Sequence, residues 1–315
     1  MVSQGTMGVI KKLKKKTCRQ LMAEALDVKL SNRGDKFSLC SIINAKSGQC
    51  SENCAFCAQS AHFTTDAPYY PLKEQVEIIA AAQEAKAIGA KHFSIVTSGR
   101  GLGAVDLERV IEIIQAIRKE VGIKVCASLG ILRYEDFVQL KAAGMERYHH
   151  NLETSKEFFP RVVTSHSFQD RVDTIRAAQK AGIEICAGGI FGLGESEDDR
   201  ISMALTLKEL AVDSIPLNIL IPLPGTALSG QPPLSAEQIL RSISLYRIIV
   251  PEVPIRLAAG RETALQDFLS SAFLAGADGM MIGGYLTERG RSPEQDLKFV
   301  DEVKALWRGL KCENC

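Results

Sequence analysis

Short apolar segments alternate with longer helical segments from about residue 36 to the C-terminal region of the chain. Five of the helical segments end in a glycine beside the next apolar run: Gly89, Gly122, Gly144, Gly182 and Gly276. Glycine is the usual residue just past a helix end, because it adopts the left-handed conformation without steric cost. The predicted strands are 37–43, 92–97, 124–129, 146–152, 184–190, 215–221, 254–259 and 279–283. Eight strands that alternate with helices predict an α/β fold of the TIM type, a parallel (β/α)8 barrel.

The same pattern divides the 315 residues into three predicted parts. Residues 1–35 form an N-terminal helical extension, residues 36–310 form the barrel, and residues 311–315 form a C-terminal Cys-x-x-Cys tail. A barrel of this length is ordinary, since α/β barrels commonly exceed about 250 residues as one domain. A doubly wound open sheet is the alternative arrangement of the same elements. The composition, 46% hydrophobic and 24% charged, excludes a disordered, collagen-like or coiled-coil chain.

The charge balance and the cysteine content limit the environment and the partners of the protein. The net charge is +1, so no extended basic field attracts a nucleic acid. The sequence has no apolar run long enough to cross a bilayer, and its first residues lack the features of a secretory signal. We therefore expect a cytoplasmic location, with no membrane and no nucleic-acid partner. Disulfides are rare there, so nine cysteines favour metal or redox chemistry.

Three of the cysteines lie in one loop after the first predicted strand. Cys50, Cys54 and Cys57 have the spacing C-x3-C-x2-C. Three thiolates on a short loop can bind three irons of a 4Fe–4S cluster and leave the fourth iron without a protein ligand. A structural zinc site usually has four closed ligands in two separated pairs, whereas this loop has an odd number and no histidine at ligand spacing. The loop follows a strand, at the mouth where barrel active sites lie.

An iron without a protein ligand can chelate the amino and carboxylate groups of S-adenosylmethionine. An electron from the cluster then cleaves the sulfonium to a 5′-deoxyadenosyl radical, which abstracts hydrogen from an unactivated carbon. The cofactor supplies this chemistry, and the protein supplies the position and a dry cavity. The loop resembles that of the radical S-adenosylmethionine superfamily. In that superfamily the residue before the third cysteine, here Phe56, is commonly aromatic and lies beside the adenine.

Polar side chains lie along the fourth predicted strand and near its neighbours. His149, Asn151 and Glu153 have the same parity and therefore share one face of the strand. A polar row that points into the barrel indicates a site, because the packed layers of such barrels favour Val, Ile and Leu. The alternative is that the row faces the helices. Asn218 on the sixth strand and Arg171 at a helix start are further polar candidates, although either type of residue is often structural.

The fifth predicted strand ends in a glycine-rich segment, residues 188–195. Its spacing is similar to a dinucleotide-binding motif, but these glycines close a strand instead of opening a phosphate-binding helix turn. Close approach of the backbone to a ligand is the predicted use of these glycines, with Gly192 as the candidate.

Three residues at similar depth indicate a second site low in the barrel. Cys126, Cys186 and Arg256 are each the third residue of a predicted odd-numbered strand. A buried cysteine alone is usually an inert small hydrophobe, and we interpret Cys18 and Cys40 as such packing residues. A buried arginine is different, because its charge needs a partner. The combination suggests an anionic group at the barrel centre, and a second iron–sulfur cluster fits.

Together these motifs resemble the biotin synthase family over about residues 30–310. The similar segments are 48–60, 150–155, 188–195, 224–226 and 256–262. The resemblance implies an enzyme that inserts sulfur between two carbons of dethiobiotin, using adenosylmethionine-derived radicals and sulfide from an auxiliary cluster. It also implies a homodimer and a reducing electron donor such as flavodoxin or ferredoxin. It places Phe56, Asn151, Glu153, Arg171 and Gly192 at S-adenosylmethionine, and His149, Asn151 and Asn218 at dethiobiotin.

The chain departs from the family pattern at the auxiliary cluster. That pattern has three cysteines and one arginine around a 2Fe–2S cluster, and the position on the second strand is Ser94 here. A serine hydroxyl is a poor iron ligand beside a thiolate. The C-terminal Cys312 and Cys315 could supply two thiolates from below the barrel, which with Cys126 and Cys186 make the usual four of a 4Fe–4S cluster. We therefore favour a four-iron auxiliary cluster, with 2Fe–2S as the alternative and a frayed tail as the simpler interpretation of residues 311–315.

Other functions remain alternatives at this stage. A hydrogenase-cofactor maturase or a methylornithine synthase-like enzyme uses the same type of barrel, but would not need Cys126, Cys186 and Arg256 together. A sulfur-inserting enzyme that acts on RNA is disfavoured by the near-neutral charge. A non-enzymatic iron–sulfur carrier would not need a full barrel with an internal polar row.

Overall fold

Parallel strands form the centre of the molecule, of which a computed structural model describes residues 4–283 and 291–311. Nine strands belong to one sheet in the order β5-β4-β3-β2-β1-β9-β8-β7-β6. Their bounds are β1 Ser38–Lys46, β2 His92–Thr97, β3 Lys124–Ser128, β4 Arg147–His149, β5 Glu184–Cys186, β6 Gly189–Phe191, β7 Ile215–Ile219, β8 Ile255–Leu257 and β9 Gly279–Met281. All eight strand pairings are parallel, as a βα-repeat requires.

The sheet curls into a TIM-type α/β barrel, which confirms the predicted fold. The predicted fifth strand is divided into β5 and β6, because a side chain at Gly188 would lie 1.8 Å from the carbonyl oxygen of Pro216. The backbone can pass so close to its neighbour only without a Cβ atom. A bridge between Cys186 and Ser214 joins β5 to the segment that enters β7, and this contact closes the ring of strands.

Helices surround the barrel, and several of them begin with side-chain caps. Ser167 and Asp170 form a capping box on one helix, and Ser196 and Asp199 form a second on the next. None of the helices in the described part of the chain combines the length and the apolar character needed to cross a membrane. The helices are α1 Gln4–Lys14, α2 Cys18–Arg33, α3 Gln75–Ala87, α4 Ala104–Glu120, α5 Tyr134–Ala143, α6 Phe168–Lys180, α7 Glu197–Glu209, α8 Ala236–Ile249, α9 Arg261–Leu265, α10 Leu269–Leu274 and α11 Pro293–Lys311.

Alternation along the strands separates the hydrophobic core from the interior cavity. On β2, Phe93 and Ile95 are fully buried, whereas His92, Ser94 and Val96 line the cavity inside the barrel. Successive side chains of a strand point to opposite faces, so the first set packs outward against the helices. The inward-facing polar residues of the strands therefore meet inside the barrel.

Candidate active site

A cavity of about 450 Å³ occupies the interior and the mouth of the barrel. Its wall includes residues of all nine strands, together with the cysteine loop that follows β1. A cavity of this volume lies within the range of ligand-binding pockets. The predicted site residues that line it are Cys50, Cys54, Phe56, Cys57, Cys126, His149, Asn151, Glu153, Arg171, Cys186, Asn218 and Arg256.

Backbone hydrogen bonds fold the cysteine loop over the mouth. The Cys50 N–H donates to the carbonyl of Gln59 over 3.0 Å, and the Cys57 N–H donates to the carbonyl of Cys54 over 2.9 Å. Burial raises the pKa of the Cys54 thiol to about 12 and that of Cys57 to about 11. Such thiols are protonated near neutral pH, and a metal that binds them displaces these protons.

The donor set of the loop fits a polynuclear cluster better than a single ion. Within residues 4–283 and 291–311, no three His, Cys, Asp or Glu side chains are placed to share one metal ion. A tetrahedral zinc ion would need its ligands to converge at about 2.0–2.3 Å. Cys50, Cys54 and Cys57 nevertheless line one cavity, as three ligands of different irons would.

A buried network ties the cysteine loop to the start of α6. The Glu52 carboxylate accepts a hydrogen bond of 2.7 Å from Ser165 Oγ and contacts His166 Nδ1. Arg171 Nε donates to His166 Nε2 over 3.1 Å, so this histidine carries its proton on Nδ1. Burial raises the pKa of Glu52, but the bonds from Ser165 and His166 outweigh burial and lower it below its usual value. Glu52 and His166 are not among the residues predicted from the sequence, since neither lies in a metal-ligand spacing.

The polar row after β4 faces the cavity and contacts Arg171. Arg171 Nη1 lies 3.5 Å from Glu153 Oε1 and donates to the Asn151 carbonyl over 2.8 Å. Asn151 Nδ2 donates to Glu153 Oε2 over 3.3 Å, and Asn151 Oδ1 accepts from the Gly188 N–H over 3.1 Å. Glu153 has a φ of 69°, a left-handed conformation that is rare outside glycine and often occurs at functional sites.

Two further predicted site residues have different positions. Asn218 lines the cavity, where its Nδ2 donates to the Gly189 carbonyl over 3.3 Å and its Oδ1 accepts from the Ala259 N–H over 3.1 Å. Gly192 is not in the cavity wall that the described residues form, and its N–H donates to the Glu195 carboxylate over 3.0 Å and 3.1 Å. The geometry therefore does not support Gly192 as a cofactor contact, because this backbone group is already bonded within its own turn.

Cys126, Cys186 and Arg256 all belong to the wall of the cavity. Arg256 Nη1 lies 4.0 Å from Cys186 Sγ, and His149 hydrogen-bonds to the same thiol. Burial alone would raise the pKa of Cys186, but the His149 hydrogen bond and the charges of His149 and Arg256 lower it to about 6. The imidazole of His149 is thus directed at a cysteine as well as at the cavity.

The structure adds two residues to this wall. Cys40, which the sequence suggested as a packing residue, lines the cavity and interacts electrostatically with Arg256 and Cys186. Arg147 is 7% exposed and also lines the cavity. Its Nε and Nη2 donate to the Glu184 carboxylate over 3.0 Å and 2.6 Å.

Several buried polar atoms on this wall have no hydrogen-bond partner among the described residues. They include Ser94 Oγ, Arg147 Nη1 and Arg256 Nε. An unpaired N–H of a buried guanidinium is costly, because the group loses its water without a replacement. A bound anion with acceptor atoms would restore the lost hydrogen bonds. The wall therefore fits an iron–sulfur cluster, which carries negative charge and sulfide acceptors.

Comparison with known proteins identifies the family. The chain matches the radical SAM superfamily over residues 46–207 and the biotin and thiamin synthesis associated domain over residues 216–304. It is 49% identical over 285 residues to the biotin synthase of Pelotomaculum thermopropionicum, a match that covers 90% of this chain and 89% of that protein. This chain belongs to the biotin synthase family. The biotin synthase of Heliobacterium modesticaldum is 46% identical over 96% of this chain and 93% of its own length.

Membership of the biotin synthase family confirms that the chain is a radical SAM enzyme, with a 4Fe–4S cluster and S-adenosylmethionine as cofactors. Solved structures agree on the fold. Methylornithine synthase superposes with a TM-score of 0.80 at 19% identity, covering 98% of this chain and 96% of the other. The FeFe-hydrogenase maturase of Carboxydothermus hydrogenoformans gives 0.78 at 20% identity, covering 92% and 72%. At such identities these two relatives show the barrel alone, and the family assignment favours biotin synthase over the alternative enzymes.

Proposed function

We propose that this chain converts dethiobiotin to biotin by radical sulfur insertion. The observation that supports the proposal is one cavity lined by two cysteine sets, the loop cysteines and the pair Cys126 and Cys186 with Arg256. A substrate in this cavity lies between a radical source and a sulfur source. Carriers of iron–sulfur clusters have no use for such an enclosed substrate space. The soluble electron donor is a protein such as flavodoxin or ferredoxin, and the enzyme acts as a cytoplasmic homodimer.

The residues at the mouth would hold the radical-forming cofactor. Bound there, the 4Fe–4S cluster with S-adenosylmethionine supplies a 5′-deoxyadenosyl radical, and the cluster takes Cys50, Cys54 and Cys57 as ligands. The carboxylate of Glu153 offers acceptors to a cationic group, while the Arg171 guanidinium fixes that carboxylate from 3.5 Å. The remaining cofactor contacts are Phe56 and Asn151, which line the same cavity.

The substrate contacts would come from three residues of the cavity wall. An asparagine amide carries both a donor and an acceptor, as does the ureido group of dethiobiotin. Asn151 and Asn218 line the cavity on different strands and can bracket such a group. His149 lines the same cavity and hydrogen-bonds to the Cys186 thiol. It would therefore contact both the substrate and the sulfur source.

The auxiliary cluster is proposed to be a four-iron type, with 2Fe–2S as the alternative. Its proposed ligands are Cys126, Cys186 and the tail cysteines Cys312 and Cys315, with Arg256 beside it. The tail residues lie outside the described part of the chain, which ends with α11 at Lys311. Helices of a βα-barrel return toward the N-terminal ends of the strands, so α11 leads toward the wall that holds Cys126 and Cys186.

Product analysis tests the proposed function. Anaerobic enzyme is incubated with dethiobiotin, S-adenosylmethionine and a strong reductant, and the products are measured by mass spectrometry. The proposal expects biotin and 5′-deoxyadenosine to appear together. Formation of 5′-deoxyadenosine without any biotin would assign the chain to a different radical reaction.

The role of the tail has a separate test. We expect Cys312→Ala/Cys315→Ala to lower the iron content and to change the Mössbauer spectrum of the auxiliary cluster, because the thiolates that the tail would supply are removed. Cys18→Ala serves as the matched control, since Cys18 begins α2 away from the cavity. An auxiliary cluster that survives unaltered in the double variant would refute tail ligation.

A further inference from the structure

Side chains inside a TIM barrel form layers, and these layers can be derived from the strand pairing. Each layer takes four side chains from alternate strands, and the strands are staggered by a shear of eight residues around the barrel. To go from one member of a layer to the next, one therefore follows the residue pairing across two strands and then moves two residues further along the chain. Since β5 and β6 are the two parts of the fifth barrel strand, β1, β3, β5 and β8 are the odd-numbered strands.

The first offset connects Arg256 to Cys40. Arg256 on β8 pairs with Gly279 on β9, and Gly279 pairs with Ser38 on β1. Two residues beyond Ser38 lies Cys40. Arg256 and Cys40 therefore belong to one layer, in agreement with the electrostatic interaction between the two side chains.

The second offset connects Cys40 to Cys126. Cys40 pairs with His92 on β2, and His92 pairs with Lys124 on β3. Two residues beyond Lys124 lies Cys126. The thiols of the first and third strands thus occupy the same depth.

The third offset extends the layer to the fifth strand. Cys126 pairs with Arg147 on β4, and Arg147 pairs with Glu184 on β5. Two residues beyond Glu184 lies Cys186.

The fourth offset closes the layer. Cys186 bridges to Ser214, and two residues beyond Ser214 lies Pro216, the pairing partner of Arg256. The four offsets reproduce the shear of eight and return to the starting residue. One complete layer of this barrel therefore consists of three thiols, from Cys40, Cys126 and Cys186, and one guanidinium.

We propose that Cys40 is a protein ligand of the auxiliary cluster, with Cys126 and Cys186. This inference rests on the proposed auxiliary cluster and replaces the thiol that Ser94 on β2 does not provide. The Cys40 Sγ makes a long hydrogen bond, 3.9 Å, to the carbonyl oxygen of Met280. It is therefore available to bind iron once its proton is released.

The surrounding charges support an anionic group in the centre of the layer. Arg147 and Arg256 are 7% and 4% exposed, and both line the cavity. Each has a buried guanidinium nitrogen without a hydrogen-bond partner among the described residues. The Glu184 carboxylate accepts hydrogen bonds from Arg147 Nε at 3.0 Å and Nη2 at 2.6 Å. Nη1 of the same guanidinium is not engaged by Glu184. Sulfide or thiolate sulfur bound here would accept these hydrogen bonds.

Cys40 changes what the C-terminal tail has to contribute. With Cys40 the barrel alone supplies three thiolates, so a four-iron cluster needs only one further ligand. Substitutions of Cys40 and of the tail are therefore expected to have different effects. Loss of Cys40 removes a ligand from the rigid sheet, whereas loss of one tail cysteine leaves the second available.

The test measures the auxiliary cluster in isolation. In full-length protein, Cys50→Ala/Cys54→Ala/Cys57→Ala removes the ligands of the radical-forming cluster, so that all retained iron belongs to the auxiliary site. Cys40→Ala, Cys40→Ser and the control Cys18→Ala are then added one at a time. Bound iron and sulfide are measured after anaerobic reconstitution with ⁵⁷Fe and desalting, and Mössbauer spectra report the cluster type. Circular dichroism verifies that each variant is folded.

We expect both Cys40 variants to bind the cluster at least about tenfold more weakly, so that most iron is lost, while Cys18→Ala keeps its iron and its spectrum. An unchanged iron content and spectrum in both Cys40 variants would overturn the assignment of Cys40 and leave the auxiliary cluster in place. A triple variant that retains no iron even with Cys40 intact would instead refute the auxiliary cluster, and with it the role of Cys40.

Discussion

Replacement of Cys54 by alanine is expected to abolish 5′-deoxyadenosine formation. Cys54 is buried beside the cavity, and the loop that carries it offers only two other thiols. A 4Fe–4S cluster with two protein ligands on such a loop is not retained, and the cofactor supplies the whole radical chemistry. Enzymes accelerate their reactions by at least about 10⁶-fold, so loss of the cofactor leaves no measurable turnover. The readout is 5′-deoxyadenosine per chain under reduction, by liquid chromatography with mass spectrometry.

Cys18→Ala is the matched control for this experiment. Cys18 is the first residue of α2, and its thiol lies 3.7 Å from the Glu237 carbonyl oxygen, outside the cavity wall. The control is expected to form 5′-deoxyadenosine at the rate of the unmodified enzyme. Substantial cleavage of S-adenosylmethionine by the Cys54 variant would mean that the radical-forming cluster lies elsewhere.

Replacement of Cys186 by alanine is expected to separate the two halves of the reaction. Biotin formation should fall at least about 100-fold, because ligand and environment changes at a metal site commonly reach that size. Formation of 5′-deoxyadenosine should remain within about threefold, since Cys186 lies on β5 and the radical-forming loop follows β1. Both products are measured in the same anaerobic sample, so each serves as the internal reference of the other.

Two results would contradict this separation. A parallel fall of both products would show that Cys186 supports the radical-forming site, and unchanged biotin formation would remove Cys186 from the sulfur source.

His149 is expected to control the pKa of the Cys186 thiol. Burial raises this pKa, but the hydrogen bond and charge of His149, with the charge of Arg256, outweigh burial and lower it to about 6. His149→Asn should therefore raise this pKa, which a thiol-reactive probe detects on cluster-free protein.

The fold could be predicted from local signals. Glycines such as Gly144, with a φ of 101°, end helices directly before strands, and this punctuation is readable without tertiary information. The division of the fifth strand at Gly188 was not predictable. It depends on the approach of the Pro216 carbonyl from another strand, which periodicity within one segment cannot reveal.

The candidate site also contains residues that the sequence predicts and residues that only the strand pairing reveals. The loop of Cys50, Cys54 and Cys57 is contiguous in sequence, so its spacing alone indicates the cluster. Cys40 and Arg147 belong to the site only through strand register. A single cysteine in an apolar strand resembles a small packing residue, and the offset of two residues per two strands becomes useful only when the pairing is known. The placement of Cys40 on an odd-numbered strand was the available signal.

Electron–nuclear double resonance on the reduced enzyme tests the central claim most directly. The claim is that three thiolates from one loop hold a 4Fe–4S cluster whose fourth iron binds S-adenosylmethionine. With the amino nitrogen of S-adenosylmethionine labelled with ¹⁵N, the account predicts a hyperfine coupling between that nitrogen and the cluster spin, which is lost in Cys54→Ala. Absence of the coupling in the unmodified enzyme at saturating S-adenosylmethionine would contradict the account.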